Sequence, residues 1–308
     1  MKVIHRMRYI SQNLENNLKS PLAVVAHDAG AANLIAGWLK GIVAKDIRLS
    51  AAGPALAIFA CELPHLMNMT LNDALYGANT LLSGTSGPAT NMEHDARAVA
   101  RERGIHSIGV IDHWINYAER FVRKERQVLP DEIWVSDEIA FSLAQSCFPE
   151  HSVRQLPNRY LEQLVEIINS SDRPVTDGQA HVLFVLEPIH ESWGNNDTPG
   201  EFQALNFFIS KLGLLGLGDN TKILLRPHPS DPVGKYDGWC ATHSHLNISV
   251  DTTQTLPTLI AWADWVVGCE TFAMVIALHV NKQILSALPP WAPPCKLPQK
   301  EIIMLRDL

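Results

Sequence analysis

The sequence predicts an α/β protein made of two doubly wound, Rossmann-like domains that face a cleft. Short apolar, β-rich runs alternate with longer helical runs, and the short loops between them favour parallel strands connected by helices. One polar, turn-rich segment at 171–179 interrupts this alternation near the middle of the 308-residue chain. A single core seldom holds more than roughly 250–300 residues, so we predict two domains, at 1–172 and 180–308.

The first half begins with a buried strand at 22–27, a small-residue turn at 28–32 and an apolar helix from 33 to about 44. The same unit then repeats, with strands at 47–51, 80–83, 107–111, 132–136 and 153–156 and helices from 54 and over 92–103, 114–123, 138–147 and 159–170. The second half has strands at 181–186, 222–225, 248–250, 265–267 and 283–286 and helices over 202–215, 256–263 and 271–278. Open parallel sheets bind ligands beyond the carboxyl ends of their strands, so we expect the ligand-binding and catalytic residues to lie there.

The composition excludes several classes of protein. Hydrophobic residues make up 46% and charged residues 19%, which is typical of a folded globular chain. A net charge of -7 argues against nucleic-acid binding by phosphate neutralisation, and the basic run 120–126, which contains Glu125 and follows Glu119, is interpreted as a solvated helix end. Five cysteines without a CxxC pair or regular spacing predict neither a zinc ribbon nor a disulfide framework.

The N-terminal segment and the apolar runs indicate where the protein works. Residues 1–20 are polar and lack the apolar core of a signal peptide, and no apolar run approaches the roughly 18 residues of a membrane span. We therefore predict a cytoplasmic protein without a transmembrane segment, for which any membrane contact would be peripheral.

The segment Leu225-Arg226-Pro227-His228-Pro229 closes a predicted strand of the second half. Its two prolines stiffen the loop, and its side chains combine a guanidinium fork for phosphate with an imidazole that can donate near neutral pH. The segment is therefore either a stiff surface turn or a phosphate contact made by Arg226 and His228.

A second turn, Gly268-Cys269-Glu270-Thr271, leads from a predicted strand into a helix about 40 residues later. The amides at the start of that helix would point at an anion lying beside His228, and the Thr271 hydroxyl could add a donor. The alternative is an ordinary turn in which Thr271 only caps the helix.

Together, Arg226-Pro227-His228-Pro229 and the run ADWVVGCETFAMVIAL resemble the nucleotide-binding domain of glycosyltransferase-B (GT-B) fold enzymes. The similarity is to bacterial sialyltransferases and to capsule or teichoic-acid polymerases with a His-Pro motif and a Ser/Thr motif at a helix start. It implies that His228 and Thr271 hold the phosphate and sugar of a CMP- or CDP-linked donor, with Glu270 in place of a usual Ser or Thr. It also implies that Glu187, at the end of the domain's first strand, contacts the donor or acceptor, although the residues alone favour a solvated loop there.

The resemblance places a catalytic base in the first domain. Asp28 is our first candidate, since it ends a strand and precedes very small residues such as Gly30, which leave room for a ligand. Asp28 could instead cap the following helix. Asp112 and His113 follow another strand and form a second candidate pair, whose alternative is a structural pair packed with Trp114.

One further loop could contact a ligand, and several familiar cofactor and metal motifs are absent. The loop 83–90 is rich in small and hydroxyl residues, and its Thr85 and Ser86 could receive a carboxylate, a phosphate or sugar hydroxyls. A Walker loop and a G-x-G-x-x-G turn are both missing, and no His or Cys spacing demands a metal, so we expect no metal and no resident cofactor.

The sequence thus predicts a metal-independent glycosyltransferase that transfers a sugar from a nucleotide-linked donor to the hydroxyl of a glycan or small-molecule acceptor. Its partners would be these two substrates and no nucleic acid. A UDP-sugar 2-epimerase-like isomerase and a non-catalytic sugar-nucleotide-binding protein remain as alternatives.

Overall fold

The computed structural model describes residues 17–40, 42, 46–171, 178–190, 192–194, 198–218 and 220–308. The chain forms two compact units, unit 1 (Met1–Tyr160) and unit 2 (Leu161–Leu308). Their division falls inside a helix, Arg159–Ser170. The core of the predicted linker, 172–177, lies outside the described residues.

Unit 1 contains eight described strands, of which six form one parallel sheet in the order β2-β1-β3-β4-β7-β8 and two form a hairpin. The strands are β1 (Leu22–Ala26), β2 (Ile47–Ala51), β3 (Thr80–Ser83), β4 (His106–Val110), β5 (Val122–Arg123), β6 (Arg126–Gln127), β7 (Glu132–Val135) and β8 (Ser152–Gln155). The helices are α1 (Ala29–Leu39), α2 (Gly53–Glu62), α3 (Leu71–Leu75), α4 (Met92–Arg103) and α5 (Glu138–Cys147), and α6 (Arg159–Ser170) begins at the division.

Helices cover both faces of this sheet because its interior strand β1 is apolar on both sides. Along β1 every residue is buried. Val24 packs with Trp38 of α1 and Phe59 of α2 on one face, whereas Val25 packs with Leu75 and residues of α4 on the other. Continuous apolar runs of this kind are typical of parallel strands buried on two faces.

Unit 2 repeats the architecture with a six-stranded parallel sheet in the order β11-β10-β9-β12-β13-β14. Its strands are β9 (His181–Val185), β10 (Lys222–Arg226), β11 (Asn247–Val250), β12 (Trp265–Gly268), β13 (Gln283–Ser286) and β14 (Ile303–Met304). The helices that follow α6 are α7 (Gly200–Ser210), α8 (Asp237–Thr242), α9 (Leu256–Trp262) and α10 (Phe272–Leu278). Phe184 of β9 and Phe208 of α7 meet edge to face in its core.

The strand orders locate one switch point in each sheet. In unit 1 the chain reverses direction across the sheet between β1 and β3, and in unit 2 between β9 and β12. Loops diverge to opposite faces at such points and open a crevice at the carboxyl ends of the strands. Asp28 and Ser86 follow the two switch strands of unit 1, and Glu187 and Cys269 follow those of unit 2.

The predicted fold class, two parallel α/β sheets with crossover helices, is confirmed, but several local predictions are wrong. The helix predicted over 114–123 is replaced by a short 3-10 turn, Glu119–Phe121, and the β5–β6 hairpin. Positive φ angles at Asn116, Lys124 and Glu125 bend this segment, and it therefore is not a solvated helix end.

Boundaries of two helices also differ from the prediction. The small residues after Asp28 do not form a turn, since α1 starts directly at Ala29, and it ends at Leu39 rather than near 44. Helix α7 runs from Gly200 to Ser210 and does not continue to 215. The short elements α3, α8 and β14 carry too few periodic residues to be predicted.

Candidate functional site

A pocket of about 390 Å³ lies at the switch point of unit 2. The loops after β9, β10, β12 and β13 form its walls, and its described lining residues are Glu187, Pro188, Ile189, Ser192, Trp193, His228, Cys269, Glu270, Thr271, Leu288, Pro293 and Lys296. Four of the predicted donor-binding residues, Glu187, His228, Glu270 and Thr271, are therefore brought together in one place.

Glu187 is anchored by backbone amides of the turn after β12. Its Oε1 accepts hydrogen bonds from the amides of Cys269 at 2.8 Å and Glu270 at 2.9 Å. Removal from water raises the pKa of Glu187 to about 7, although the amide hydrogen bonds oppose this rise. The chain's own carboxyl group thus occupies amides that were expected to face a donor phosphate.

Glu270 and Lys296 form an ion pair on another wall of the pocket. Lys296 Nζ lies 3.4 Å from Glu270 Oε1, and the Lys296 amide donates to Glu270 Oε2 at 3.0 Å. The pair joins the turn after β12 to the segment after β13. Of the two pocket carboxyl groups, Glu270 therefore has a cationic partner.

His228 presents one ring nitrogen from the loop after β10. The Ser230 amide donates to His228 Nδ1 at 3.2 Å, which requires a neutral ring to carry its proton on Nε2. Removal from water lowers the pKa of His228 below its ordinary value. Near neutral pH the neutral ring can therefore donate a hydrogen bond through Nε2.

Arg226 and Thr271 have defined intramolecular roles. Arg226 Nη1 donates to the carbonyl of Gln254 at 2.6 Å, which turns it toward the loop after β11. Thr271 is the N-cap of α10, and its Oγ1 accepts the Ala273 amide at 3.3 Å. Its hydroxyl proton can still be donated to a ligand.

A buried charge network fixes two of the loops that form the walls of this pocket. Lys235 Nζ contacts Glu201 Oε1 at 2.5 Å and Asp231 Oδ1 at 2.7 Å, and both carboxyl groups are almost fully buried. Asp231 accepts the His228 amide at 3.0 Å, and Glu201 accepts the His190 amide at 2.8 Å. The network holds the loops after β9 and β10 in place.

A second cavity, of about 600 Å³, lies in unit 1. Its described lining residues are Asp28, Gly87, Pro88, Asp112, His113, Ile115, Asn116, Ala118, Glu119, Arg120, Val122 and Arg123. All three predicted catalytic residues, Asp28, Asp112 and His113, line this one cavity.

Asp28 occupies the N-cap position of α1, but its carboxylate makes no capping hydrogen bond. Asp28 Oδ1 instead lies 2.7 Å from His27 Nδ1, and Oδ2 accepts the Gly87 amide at 3.2 Å. The side chain is nearly half exposed. A carboxylate paired with an imidazole in a cavity has the geometry needed to accept a proton.

Asp112 is hydrogen-bonded by Arg120, and its side chain packs against α1 at Gly30. Arg120 Nη1 donates to Asp112 Oδ1 at 2.8 Å. A Cβ at position 30 would lie 1.7 Å from Asp112 Oδ2, so Gly30 permits this approach and does not line the cavity with a side chain of its own. His113 Nδ1 accepts the Trp114 amide at 3.0 Å, and the two rings meet edge to face.

Thr85 and Ser86 are buried and engaged within unit 1. Thr85 Oγ1 donates to the Val110 carbonyl at 2.7 Å. Ser86 Oγ lies 2.5 Å from Glu93 Oε1 and receives the Asp28 amide at 3.2 Å. Their hydroxyl groups shape the loop that borders the cavity.

Several residues of the two sites carry no strong sequence signal. Arg123 donates to the carbonyls of Ser86 and Gly87 and so fixes the loop that Asp28 contacts. In the sequence, only the three-residue spacing of Arg120 and Arg123, shortly after Asp112, indicates that these arginines could reach the site. Lys296 lies in a proline-rich segment beyond the last long strand, where nothing local marks it.

Within the part of the chain that the structure describes, three or more His, Cys, Asp or Glu side chains are nowhere clustered so as to hold a metal ion. The same residues include no helix with the length and apolarity of a membrane span.

Solved structures resemble this chain, whereas no protein family and no curated protein matches it. One, assigned as a UDP-N-acetylglucosamine 2-epimerase from Listeria monocytogenes, has a TM-score of 0.57 and 12% identity over 85% of this chain and 78% of its own. A UDP-N-acetylglucosamine 2-epimerase from Rickettsia bellii has a TM-score of 0.55 and 10% identity, covering 86% and 78%. The glycotransferase of kitacinnamycin has a TM-score of 0.49 and 12% identity, covering 86% and 79%.

At identities this low the likeness to the two epimerases shows the fold alone. The chain therefore has the two Rossmann-like α/β units of GT-B-like proteins.

Proposed function

We propose that this protein is an enzyme of nucleotide-activated sugars, in which unit 2 binds the nucleotide-linked donor and unit 1 binds a hydroxyl acceptor. The main support is that four residues predicted from the sequence to bind the donor line one pocket at the switch point of unit 2. These residues are Glu187, His228, Glu270 and Thr271. Crevices at such points are where open parallel sheets bind nucleotides. In this proposal the nucleotide sugar is a substrate, and neither a metal nor a resident cofactor takes part.

Glycosyl transfer is the reaction that we favour, because a transferase needs a second site for its acceptor. Unit 1 has such a cavity, with the Asp28 carboxylate paired to His27 and exposed to the cavity. Asp28 would take the proton from the acceptor hydroxyl while His228 donates to the departing phosphate. The Asp112–Arg120 pair would support the acceptor beside it.

The central test is nucleotide binding by a His228→Ala variant of verified fold. A hydrogen bond to a charged ligand contributes about 1.5–3 kcal/mol, so affinity should fall roughly 10- to 100-fold. A thermal-shift panel of CMP, CDP, UDP, GDP and TDP first identifies the nucleotide, and calorimetry then measures its affinity. His245→Ala, which changes an exposed histidine of the same unit, is the matched control.

Unchanged affinity in His228→Ala would remove His228 from the donor site. An absence of stabilisation by every nucleotide of the panel would instead overturn the function itself. The bound nucleotide also tests the resemblance to sialyltransferases and teichoic-acid polymerases, which predicts CMP or CDP.

A UDP-sugar 2-epimerase-like reaction is the second candidate. It is favoured by the likeness to the two structures with TM-scores of 0.57 and 0.55, which are assigned as UDP-N-acetylglucosamine 2-epimerases. Incubation with UDP-N-acetylglucosamine alone separates the two reactions, because an epimerase changes the sugar without an acceptor. Product formation only in the presence of an acceptor supports transfer.

A further inference from the structure

In the unit 2 pocket, the carboxyl group of Glu187 occupies backbone amides that could otherwise bind an anionic ligand. Glu187 Oε1 binds two consecutive amides, those of Cys269 and Glu270, at 2.8 and 2.9 Å. Successive amides of this kind form a concavity that is suited to anions. Oε2 is held less closely, at 3.3 Å from the Glu270 amide. Oε2 is therefore the oxygen better able to meet a ligand.

The charges around Glu187 do not neutralise it. The cation in the pocket lining, Lys296, is paired with the Glu270 carboxylate, and His228 is in its neutral form near pH 7. Glu201 on α7 is compensated by Lys235. The titratable and charged groups that face Glu187 or its amide turn are Glu270, Cys269, Cys295, Lys296, His228 and Glu201.

An anionic ligand would thus meet two carboxyl groups in one small pocket. Glu270 has a cationic partner in Lys296, whereas burial already raises the pKa of Glu187 to about 7. A phosphate close to Glu187 would raise that pKa further, since like charges favour proton uptake. Protonation of Glu187 removes the repulsion and supplies a hydrogen-bond donor.

We propose that Glu187 binds the phosphate of the nucleotide ligand as a neutral carboxylic acid and takes up one proton from solvent as the ligand enters. Oε1 keeps its two amide hydrogen bonds, while Oε2 carries the proton and donates a hydrogen bond to a phosphate oxygen. One O–H bond forms on Glu187, and the bond that held this proton in a hydronium ion or a buffer acid breaks; no other covalent bond changes. This inference rests on the proposed nucleotide-binding function of unit 2.

The test is titration calorimetry with UDP, CDP and CMP in buffers of different ionisation enthalpy, between pH 7.5 and 9. Free nucleotide phosphates, with a pKa of about 6, are fully ionised in this range. The native protein should take up close to one proton per nucleotide, and its affinity should fall nearly tenfold per pH unit. Glu187→Gln keeps an oxygen for the amides and an N–H donor for phosphate, so it should bind without proton uptake and with a flat pH profile.

Glu301→Gln, an exposed acid of the same unit, is the control and should retain the native uptake. Nucleotide binding by the native protein without proton uptake, or equal uptake in Glu187→Gln, overturns this inference and leaves the proposed function standing. Failure of all three nucleotides to bind either protein overturns the proposed function, and this inference with it.

Discussion

At the scale of single residues, Gly30 determines where the Asp112 carboxylate can lie. The nearest atoms to a Cβ built at position 30 are Asp112 Oδ2 at 1.7 Å and Cγ at 2.7 Å. Any side chain here would push Asp112 away from Arg120, its partner at 2.8 Å. The glycine is therefore required by packing between α1 and the loop after β4.

Gly30→Ala is expected to lower the free energy of unfolding by about 1–3 kcal/mol, as overpacking does in cores. The loss should appear although alanine favours a helix by roughly 1 kcal/mol over glycine. Chemical denaturation measures it, with Gly87→Ala as the control because nothing lies within 4 Å of a Cβ there. Equal stability of the two variants would show that Asp112 moves aside without cost.

Glu187 makes the stability of the protein depend on pH. Its pKa is about 7 in the folded chain, where burial raises it, and about 4.3 in an unfolded one. Between these values the folded state binds more protons, so stability falls as pH rises from about 4.3 to 7 and stays lower above.

Glu187→Gln is therefore expected to unfold at a temperature a few degrees higher than the native protein at pH 8. The difference should vanish near pH 4, where both states of the native protein are protonated at this position. Thermal unfolding without ligand, followed by circular dichroism at both pH values, measures the effect. A constant difference across the pH range would mean that folding does not raise the pKa of Glu187.

At the scale of elements, the buried network of Glu201, Lys235 and Asp231 connects α7 to the loop after β10. Burial opposes ionisation of Asp231, but hydrogen bonds from Lys235, Tyr236 and the His228 amide hold its pKa below the usual range. A cation between two buried carboxyl groups cannot be removed without leaving both uncompensated.

Lys235→Met is expected to destabilise the protein by about 3–5 kcal/mol, the range for breaking a buried ion pair. Lys296→Met is the matched control, because this lysine is half exposed and its pair with Glu270 should contribute less than about 1 kcal/mol. Adding Glu201→Gln to Lys235→Met should recover part of the loss. Equal effects of the two lysine variants in urea denaturation would contradict the role of the network.

The segment after β4 shows why one element could not be predicted. Its residues 114–123 contain apolar and basic side chains at helical spacing, yet the chain forms a 3-10 turn and the β5–β6 hairpin. Arg120 reaches Asp112 and Thr85, and Arg123 reaches the loop after β3. These tertiary hydrogen bonds outweigh a weak local helical preference.

At the scale of the whole molecule, each unit has a pocket beside the switch point of its own sheet. Strand order decides this, because the loops after β9 and β12 diverge from neighbouring strands in unit 2, as those after β1 and β3 do in unit 1. The assignment of the nucleotide to unit 2 can therefore be tested along the entire chain.

Bound nucleotide is expected to slow amide exchange most strongly at 187–190, 226–231 and 268–272, the loops that surround the unit 2 pocket. Ordered ligand contacts suppress the local opening that exchange requires. Hydrogen-exchange mass spectrometry with saturating nucleotide measures this. Strongest protection at 85–87 and 112–123 would move the nucleotide to unit 1.

The sequence by itself determined the fold class and most of the elements, because continuous apolar runs and helical periodicity are local properties. It also determined which strand ends carry polar residues: His228, Glu270 and Thr271 in one half, and Asp28 and Asp112 in the other.

Only the tertiary structure decided what these residues do to one another. It placed Glu187 on the amides of Cys269 and Glu270, more than 80 residues away, and turned Arg226 to Gln254. It also engaged the Thr85 and Ser86 hydroxyl groups in internal hydrogen bonds. The physical reason is that the direction of a side chain at a strand end depends on the loops of neighbouring strands, whose order no local pattern encodes.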